Sequence, residues 1–357
     1  MIIPGIKYSY SDLCIVPACI SNVKSRSECN VYHDDGYLPL FTSPMTSVVG
    51  LNSFKKYSEN KIHPILPRSV SIDKRLEIIK LGYWVAFSLD EFNHLFNNPQ
   101  KSTKEPLKVL IDIANGHMRD LFDSVKSAKS INPNLIIMVG NIANPETYEV
   151  CCRAGADYVR VGIGAGKGCI TTSNSGVHYP MGSLLDEINQ LKKIVNYSTK
   201  TKVIADGGIR GYGDIAIALA LGADYVMIGS VFARMLEAEG KIIVPNFPHH
   251  TFLSKDFNYK SGKFYQKETG EELKLQREFY GMASAQGQID ISGSHTKTSE
   301  GIAETLDIKY TMSAWVNNCE SYLKTAMSYT NFKSLEDFIG KPRICVKSTN
   351  TYNSINK

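Results

Sequence analysis

The stretch with the clearest chemical potential is Val161-Gly162-Ile163-Gly164-Ala165-Gly166-Lys167-Gly168-Cys169-Ile170-Thr171-Thr172. A β-branched run over 158–161 ends in four alternating glycines, then in a cysteine flanked by small and hydroxyl side chains. That pattern predicts a strand opening into a reactive loop. Residues without a Cβ let backbone approach a ligand or ion closely, and a thiol there can act as a nucleophile once its pKa is lowered. A mobile glycine loop with an incidental cysteine would read the same way from this segment alone.

A second group follows in Asp206-Gly207-Gly208-Ile209-Arg210-Gly211-Tyr212-Gly213-Asp214 and in Gly229-Ser230. Free amides at successive strand ends, beside helix N-termini, hold a phosphate dianion in barrels. Glycine turns forced by tight strand-to-helix geometry are the alternative. The cysteine loop is no Walker A sequence, because Lys167 precedes Gly168 rather than Ser or Thr, and it lacks the GxGxxG spacing of a dinucleotide site.

Such groups need strands whose ends converge. Buried runs recur at 83–88, 108–112, 134–139, 156–161, 202–206 and 223–230, preceded by shorter ones at 38–41 and 63–66. Helical patterns separate them, as at 51–59, 72–81, 144–154 and 213–221. Continuous apolar strands alternating with helices indicate a parallel sheet covered on both faces. The fold class predicted is α/β, a single (β/α)8 barrel domain over residues 1–357 with its active site at the strands' carboxyl ends; a doubly wound open sheet is the alternative. Residues 8–28 read as an extended lead-in, and 97–106, with two prolines, as a surface loop. Residues 246–276 lack periodicity and read as an inserted loop or hairpin, while 285–300, rich in Gly, Ser and Thr, reads as a mobile flap. A helix over about 313–329 closes the barrel from outside.

Composition narrows the function classes. A formal charge of +5 without a long basic run argues against nucleic acid as a partner. The eight cysteines include no CxxC pair and no metal-ligand spacing with the histidines, so free thiols in a reducing cytosol are expected. No signal peptide and no membrane span are expected, which points to a cytoplasmic protein.

Four segments then converge. They are Gly162 to Thr171, Ile204 to Asp214, Val226 to Ser230, and Tyr280-Gly281-Met282-Ala283-Ser284. In this order they resemble the inosine monophosphate dehydrogenase and guanosine monophosphate reductase family, over nearly the whole chain. The resemblance implies a (β/α)8 barrel, usually tetrameric, here a homotetramer. Residues 10–17 and 24–29 and Asp112-Ile113-Ala114-Asn115-Gly116-His117 are similar to the reductase branch. There is no room for the CBS modules usual in the dehydrogenase, and 285–300 contains neither the Arg nor the Tyr with which that branch activates its hydrolytic water.

The resemblance implies NADPH-dependent conversion of GMP, a purine mononucleotide, to IMP and ammonia. Cys169 would attack C2 of the purine, and Thr171 with Glu300 would form the acid/base pair for the leaving amine. Asp206, Gly207, Gly208, Gly229 and Ser230 would hold ribose and phosphate, with Gly281, Met282, Ala283 and Gly301 along the base. Ser25, Arg26, Arg68, Asp112, Ile113, Ala114, Ile163 and Gly164 would follow the NADPH path. Carbonyls of Gly164, Gly166 and Cys169 would bind K+. The chain departs from the family pattern at Ala165 for proline, Thr46 for Asp, Pro67 for His and Asn331 for Gly, and in its longer 246–276 segment. The competing functions are IMP oxidation by NAD+ and a non-catalytic nucleotide-binding barrel.

Overall fold

Alternation along each strand decides what the scaffold presents, and where. In Lys108–Asp112, Val109 and Ile111 face the helix layer while Leu110 faces inward. Leu110 meets Phe41, Trp84, Met138, Ile204 and Met227 in an inner cluster drawn from different strands. Burying each such side chain contributes about 1.5–3 kcal/mol, and together they plug the barrel interior.

The computed structural model describes residues 5–99, 104–194, 200–247, 250–294 and 298–348. Eight parallel strands form one sheet: Leu40–Thr42, Ile65–Leu66, Trp84–Phe87, Lys108–Asp112, Ile136–Ile142, Tyr158–Val161, Lys202–Asp206 and Tyr225–Ile228. The first pairs with the last. A parallel bridge between Phe41 and His63 closes the ring, with Thr42 N–H donating to His63 O and His63 N–H to Leu40 O, both at 3.0 Å. Each strand leads to a helix: Phe54–Glu59, Ile72–Ile79, Leu89–Phe96, Arg119–Ile131, Pro145–Ala154, Met181–Ile194, Tyr212–Ala220 and Met312–Tyr329. This is the (β/α)8 barrel that the strand and helix periodicities predict.

Outside the ring the chain departs from expectation. Leu13–Ile15 is a strand, but it pairs antiparallel with Ile344–Val346 rather than entering the barrel. The polar run after it is not extended, because Ser25 Oγ accepts from Ser27 N–H at 3.3 Å and caps a 3-10 turn over Arg26–Glu28. The insertion and the flap both belong to the last strand-to-helix connection, between Ile228 and Met312. The insertion forms a three-stranded antiparallel sheet of Phe257–Lys260, Lys263–Gln266 and Glu272–Leu273, with its own core of Leu236, Phe252, Phe257, Phe264 and Leu273. The flap region carries a helix, Ala285–Ser292, begun by Ser284 Oγ accepting from Gly287 N–H at 3.1 Å. Residues 248–249 of the insertion, 295–297 of the flap, 100–103 of the expected surface loop and the first four residues lie outside the described residues.

Candidate active site

Period-two alternation continues from the plug to the barrel mouth. Two residues beyond the inward-facing Leu110, Tyr158 and Ile204 stand Asp112, Arg160 and Asp206, and all three line a cavity there. Arg160 is buried, and its guanidinium donates through Nη1 to Asp112 Oδ1 at 2.7 Å and through Nη2 to Asp206 Oδ2 at 2.9 Å. Burial opposes its charge, but the Asp206 and Asp112 carboxylates outweigh that and raise its pKa. Asn141 Nδ2 donates to Asp206 Oδ2 and to Gly162 O, each at 2.8 Å. Beside them Arg68 Nη1 donates to Asp112 O at 3.2 Å, while Arg68 Nε is buried with no partner among the described residues.

The cysteine loop leaves Tyr158–Val161 against the end of the next strand. Gly162 has φ +128°, and a Cβ there would lie 2.1 Å from Asp206 O, so only glycine permits that contact. Farther along, Gly208 N–H donates to Ala165 O at 2.9 Å, which seats the 206–208 turn beside the loop.

The flap closes the other side. Strands Gln276–Tyr280 and Ala303–Asp307 pair antiparallel beneath the helix Ala285–Ser292. Arg277, fully enclosed, anchors the first by donating to Ala233 O at 2.7 Å, Met235 O at 2.6 Å and Leu236 O at 3.1 Å. Burial, outweighing the opposing pull of Tyr57, Glu239 and Glu237, brings its pKa down to about 10. Tyr280 Oη donates to Asp290 Oδ2 at 2.7 Å, tying helix to strand. The flap base meets the cysteine loop through two backbone bonds, Ile170 N–H to Glu300 O at 3.0 Å and Ile302 N–H to Gly168 O at 3.1 Å. Across this bridge Cys169 Sγ donates to Thr171 Oγ1 and Thr171 Oγ1 to Glu300 Oε2, each over 3.2 Å.

The cavity so formed has a volume of about 720 Å³, within the usual range for small-molecule sites. Every expected site residue lines it except Ser25 and Arg26. Those two lie on the exposed 3-10 turn against helix Met312–Tyr329, where Arg26 Nη1 reaches Thr325 Oγ1 at 3.4 Å. Asn141, Arg160, Met45 and Phe279 also line the cavity and are not among the site residues that the sequence suggests. For Arg160 a signal existed: a lone charge inside the otherwise apolar strand Tyr158–Val161. His117, quoted above for its motif, is outside the cavity; its Nε2 accepts from Ala143 N–H at 3.1 Å, so Nδ1 carries the proton toward Thr147 Oγ1 at 3.0 Å. The imidazole pins two strand ends together. Among the described residues no His, Cys, Asp or Glu group could hold a metal ion through side chains, and no helix is long and apolar enough to cross a membrane.

Comparison with known proteins agrees with this architecture. Residues 104–354 match the IMP dehydrogenase / GMP reductase domain. The chain is 30% identical over 341 residues to a GMP reductase of Staphylococcus epidermidis, covering 92% of this chain and 93% of that one. It is 28% identical over 355 residues to a GMP reductase of Clostridium acetobutylicum, covering 96% of each. A GMP reductase of Staphylococcus aureus is 33% identical over 248 residues, covering 66% of this chain and 74% of the relative. With a family match across most of its length and a ring of eight parallel strands to match, the chain belongs to the IMP dehydrogenase / GMP reductase family of oxidoreductases.

Proposed function

We propose that this chain is a GMP reductase, carrying out the reductive deamination of GMP with NADPH to IMP, ammonia and NADP+. The observation that carries this reading is the series Cys169 Sγ, Thr171 Oγ1, Glu300 Oε2, with 3.2 Å at each step. A thiol, a hydroxyl and a carboxylate in series suit covalent capture of a purine followed by protonation of a departing amine. The relatives' names support it, as does a 285–300 segment without the Arg and Tyr that water activation by a dehydrogenase calls for.

In this reading the 206–208 and 229–230 turns take the phosphate on backbone amides, and Asp206, held by Arg160 and Asn141, takes the ribose. Gly281, Met282, Ala283 and Gly301 flank the base. The Cys169 thiolate adds to C2, its proton having passed through Thr171 to Glu300. The proton returns along the same path to the 2-amino group, which leaves as ammonia. NADPH, when bound, supplies the hydride that C2 takes up. Departure of the Cys169 sulfur from C2 then frees IMP.

The residues beside Asp112 suit that cofactor. Arg68 Nε is a buried donor without a partner among the described residues, facing the same cavity as Asp112, Ile113 and Ala114, and guanidinium donors pair well with amide and phosphate oxygens. Ser25 and Arg26, on the exposed turn outside this cavity, would meet NADPH beyond it. K+ would be held by carbonyls of Gly164, Gly166 and Cys169, since carbonyl oxygens can replace its hydration shell. Gly166 O accepts one bond, from Cys169 N–H at 3.1 Å, and keeps a second lone pair.

The test is a spectrophotometric assay of the reduced nicotinamide, with GMP and NADPH in one cuvette and IMP and NAD+ in another. Consumption in the first alone supports the reading. Production in the second alone would make the chain a dehydrogenase, and no change in either would leave a nucleotide-binding barrel.

A further inference from the structure

Strand pairing outside the barrel sets two cysteines from opposite ends of the chain face to face. In the ladder of Leu13–Ile15 with Ile344–Val346, Cys14 stands directly opposite Cys345. On one side of them Val16 N–H donates to Arg343 O at 2.8 Å, and on the other Lys347 N–H donates to Asp12 O at 2.7 Å. Hydrogen-bonded pairs alternate along an antiparallel ladder, so the pair midway between these is of the same kind, with Cα atoms about 5.5 Å apart. Disulfides span Cα separations of about 4.4–6.8 Å and Cβ separations of about 3.5–4.5 Å; directly opposed side chains leave the ladder on one face with Cβ atoms about 4.5–5.5 Å apart, so closing the bond draws this outer ladder together.

That face is the outer one. Leu13, on the other face, is buried against the barrel helices, whereas Cys14 is half-buried and Cys345 exposed. Most of the competing thiols are withdrawn from such chemistry: burial pushes up the pKa of Cys29, Cys152 and Cys319, and that of Cys151 to about 12. Cys169 lies in the cavity, and Cys19 is exposed but outside the ladder.

We propose that Cys14 and Cys345 form a reversible disulfide by exchange with a low-molecular-weight disulfide, stapling the N-terminal strand to the C-terminal one. The exposed Cys345 thiolate attacks one sulfur of the reagent, expelling the first small thiol and forming a mixed disulfide. Cys14 attacks the Cys345 sulfur in turn, forming the protein S–S bond and expelling the second small thiol. Two thiol hydrogens and two electrons pass to the reagent. The closed loop contains nearly the whole chain, so the link restricts the unfolded state strongly. It also fixes the lead-in that packs on helix Tyr212–Ala220, where the Tyr10 ring sits so close to Gly208 that a Cβ there would be 3.2 Å from it.

The full-length protein is equilibrated in stepped ratios of oxidised to reduced glutathione, quenched by alkylation, digested without reduction and examined by mass spectrometry. The expected product is a Cys14 peptide joined to a Cys345 peptide with the loss of two hydrogens. It disappears with excess reduced glutathione, is absent from Cys14→Ser and Cys345→Ser, and persists in Cys19→Ser. Thermal unfolding of the oxidised wild type shifts to higher temperature, and that of Cys345→Ser does not. The staple is overturned if both thiols stay alkylatable at every ratio, if Cys345 stops at the mixed disulfide, if Cys14 pairs with Cys19, or if oxidation leaves the wild-type midpoint unchanged.

Discussion

Ile170 donates its amide to the carbonyl of Glu300 at 3.0 Å, so the residue following Cys169 fixes the backbone of the flap carboxylate. The side chain of Glu300 then needs only Thr171 Oγ1, 3.2 Å away, to reach the thiol. Main-chain pairing thus sets the distance, and in the proposed mechanism the carboxylate would supply the proton. Glu300→Gln keeps the main-chain bond and removes the proton. We expect ammonia release to slow by about 10²–10⁴-fold, with thermal stability unchanged. Single-turnover release of ammonia from GMP would show it, with hydride transfer read separately in the reverse direction from IMP and NADP+, where no ammonia departs; equal slowing of the two would contradict the role given to Glu300.

The bridge has its own weak point. A Cβ on Gly301 would lie 2.9 Å from Gly168 O and 3.1 Å from Ser284 N, so Gly301→Ala must push the flap base away from the cysteine loop. Both contacts are backbone atoms that cannot swing aside. The expected result is a fall in kcat with little change in unfolding midpoint, because the barrel core is untouched. A variant with wild-type kcat would mean that the bridge is not needed for positioning.

What the sequence reveals of this architecture depends on where the information sits. The barrel strands announce themselves, since Val109-Leu110-Ile111 and Val203-Ile204-Ala205 are short, apolar and repeated with helices between. Glycine-marked turns after them, Gly162 and Gly207-Gly208, were visible for the same reason. The strands Gln276–Tyr280 and Ala303–Asp307 were not, because their pattern is mixed and their pairing spans the flap. Ala285–Ser292 is helical through its cap and its seat on the flap, against a composition of Gly, Ser and Gln. Cys14 and Cys345 become partners only through a ladder between the chain's two ends, which no local spacing can show.

Arg160 is where the cavity meets the barrel core. It joins Asp112 to Asp206 while almost wholly enclosed. Arg160→Met, similar in length, leaves two carboxylates facing each other without their cation. Breaking such a buried pair costs about 3–5 kcal/mol, and urea unfolding of the isolated variant should fall by that amount. Nucleotide affinity should fall with it, since Asp206 loses its orientation. Full retention of stability would mean that water replaces the guanidinium.

The far end of the barrel predicts a pH dependence unrelated to catalysis. His63 is buried between Tyr37 and Phe41, with ring centroids at 4.3 and 4.7 Å, and its Nε2 lies 3.3 Å from Asp35 Oδ2. Burial lowers its pKa from 6.5 and outweighs the opposing pull of Asp35. Above about pH 6.5 the imidazole is neutral in both folded and unfolded chains, so its contribution is complete. As pH falls through that value the unfolded chain takes up a proton that the fold resists, and stability declines until the lower folded pKa is reached. Asp35 acts in a separate window: the neighbouring imidazole holds its carboxyl down to about 2, so its contribution is lost only as pH falls below about 4. The urea midpoint should therefore be flat from pH 8 to 7 and fall as the pH drops below about 6.5. His63→Gln should flatten part of that slope, the remainder belonging to His33 and His117, whose pKa values burial also lowers. A variant slope equal to the wild type's would show that His63 titrates alike in both states.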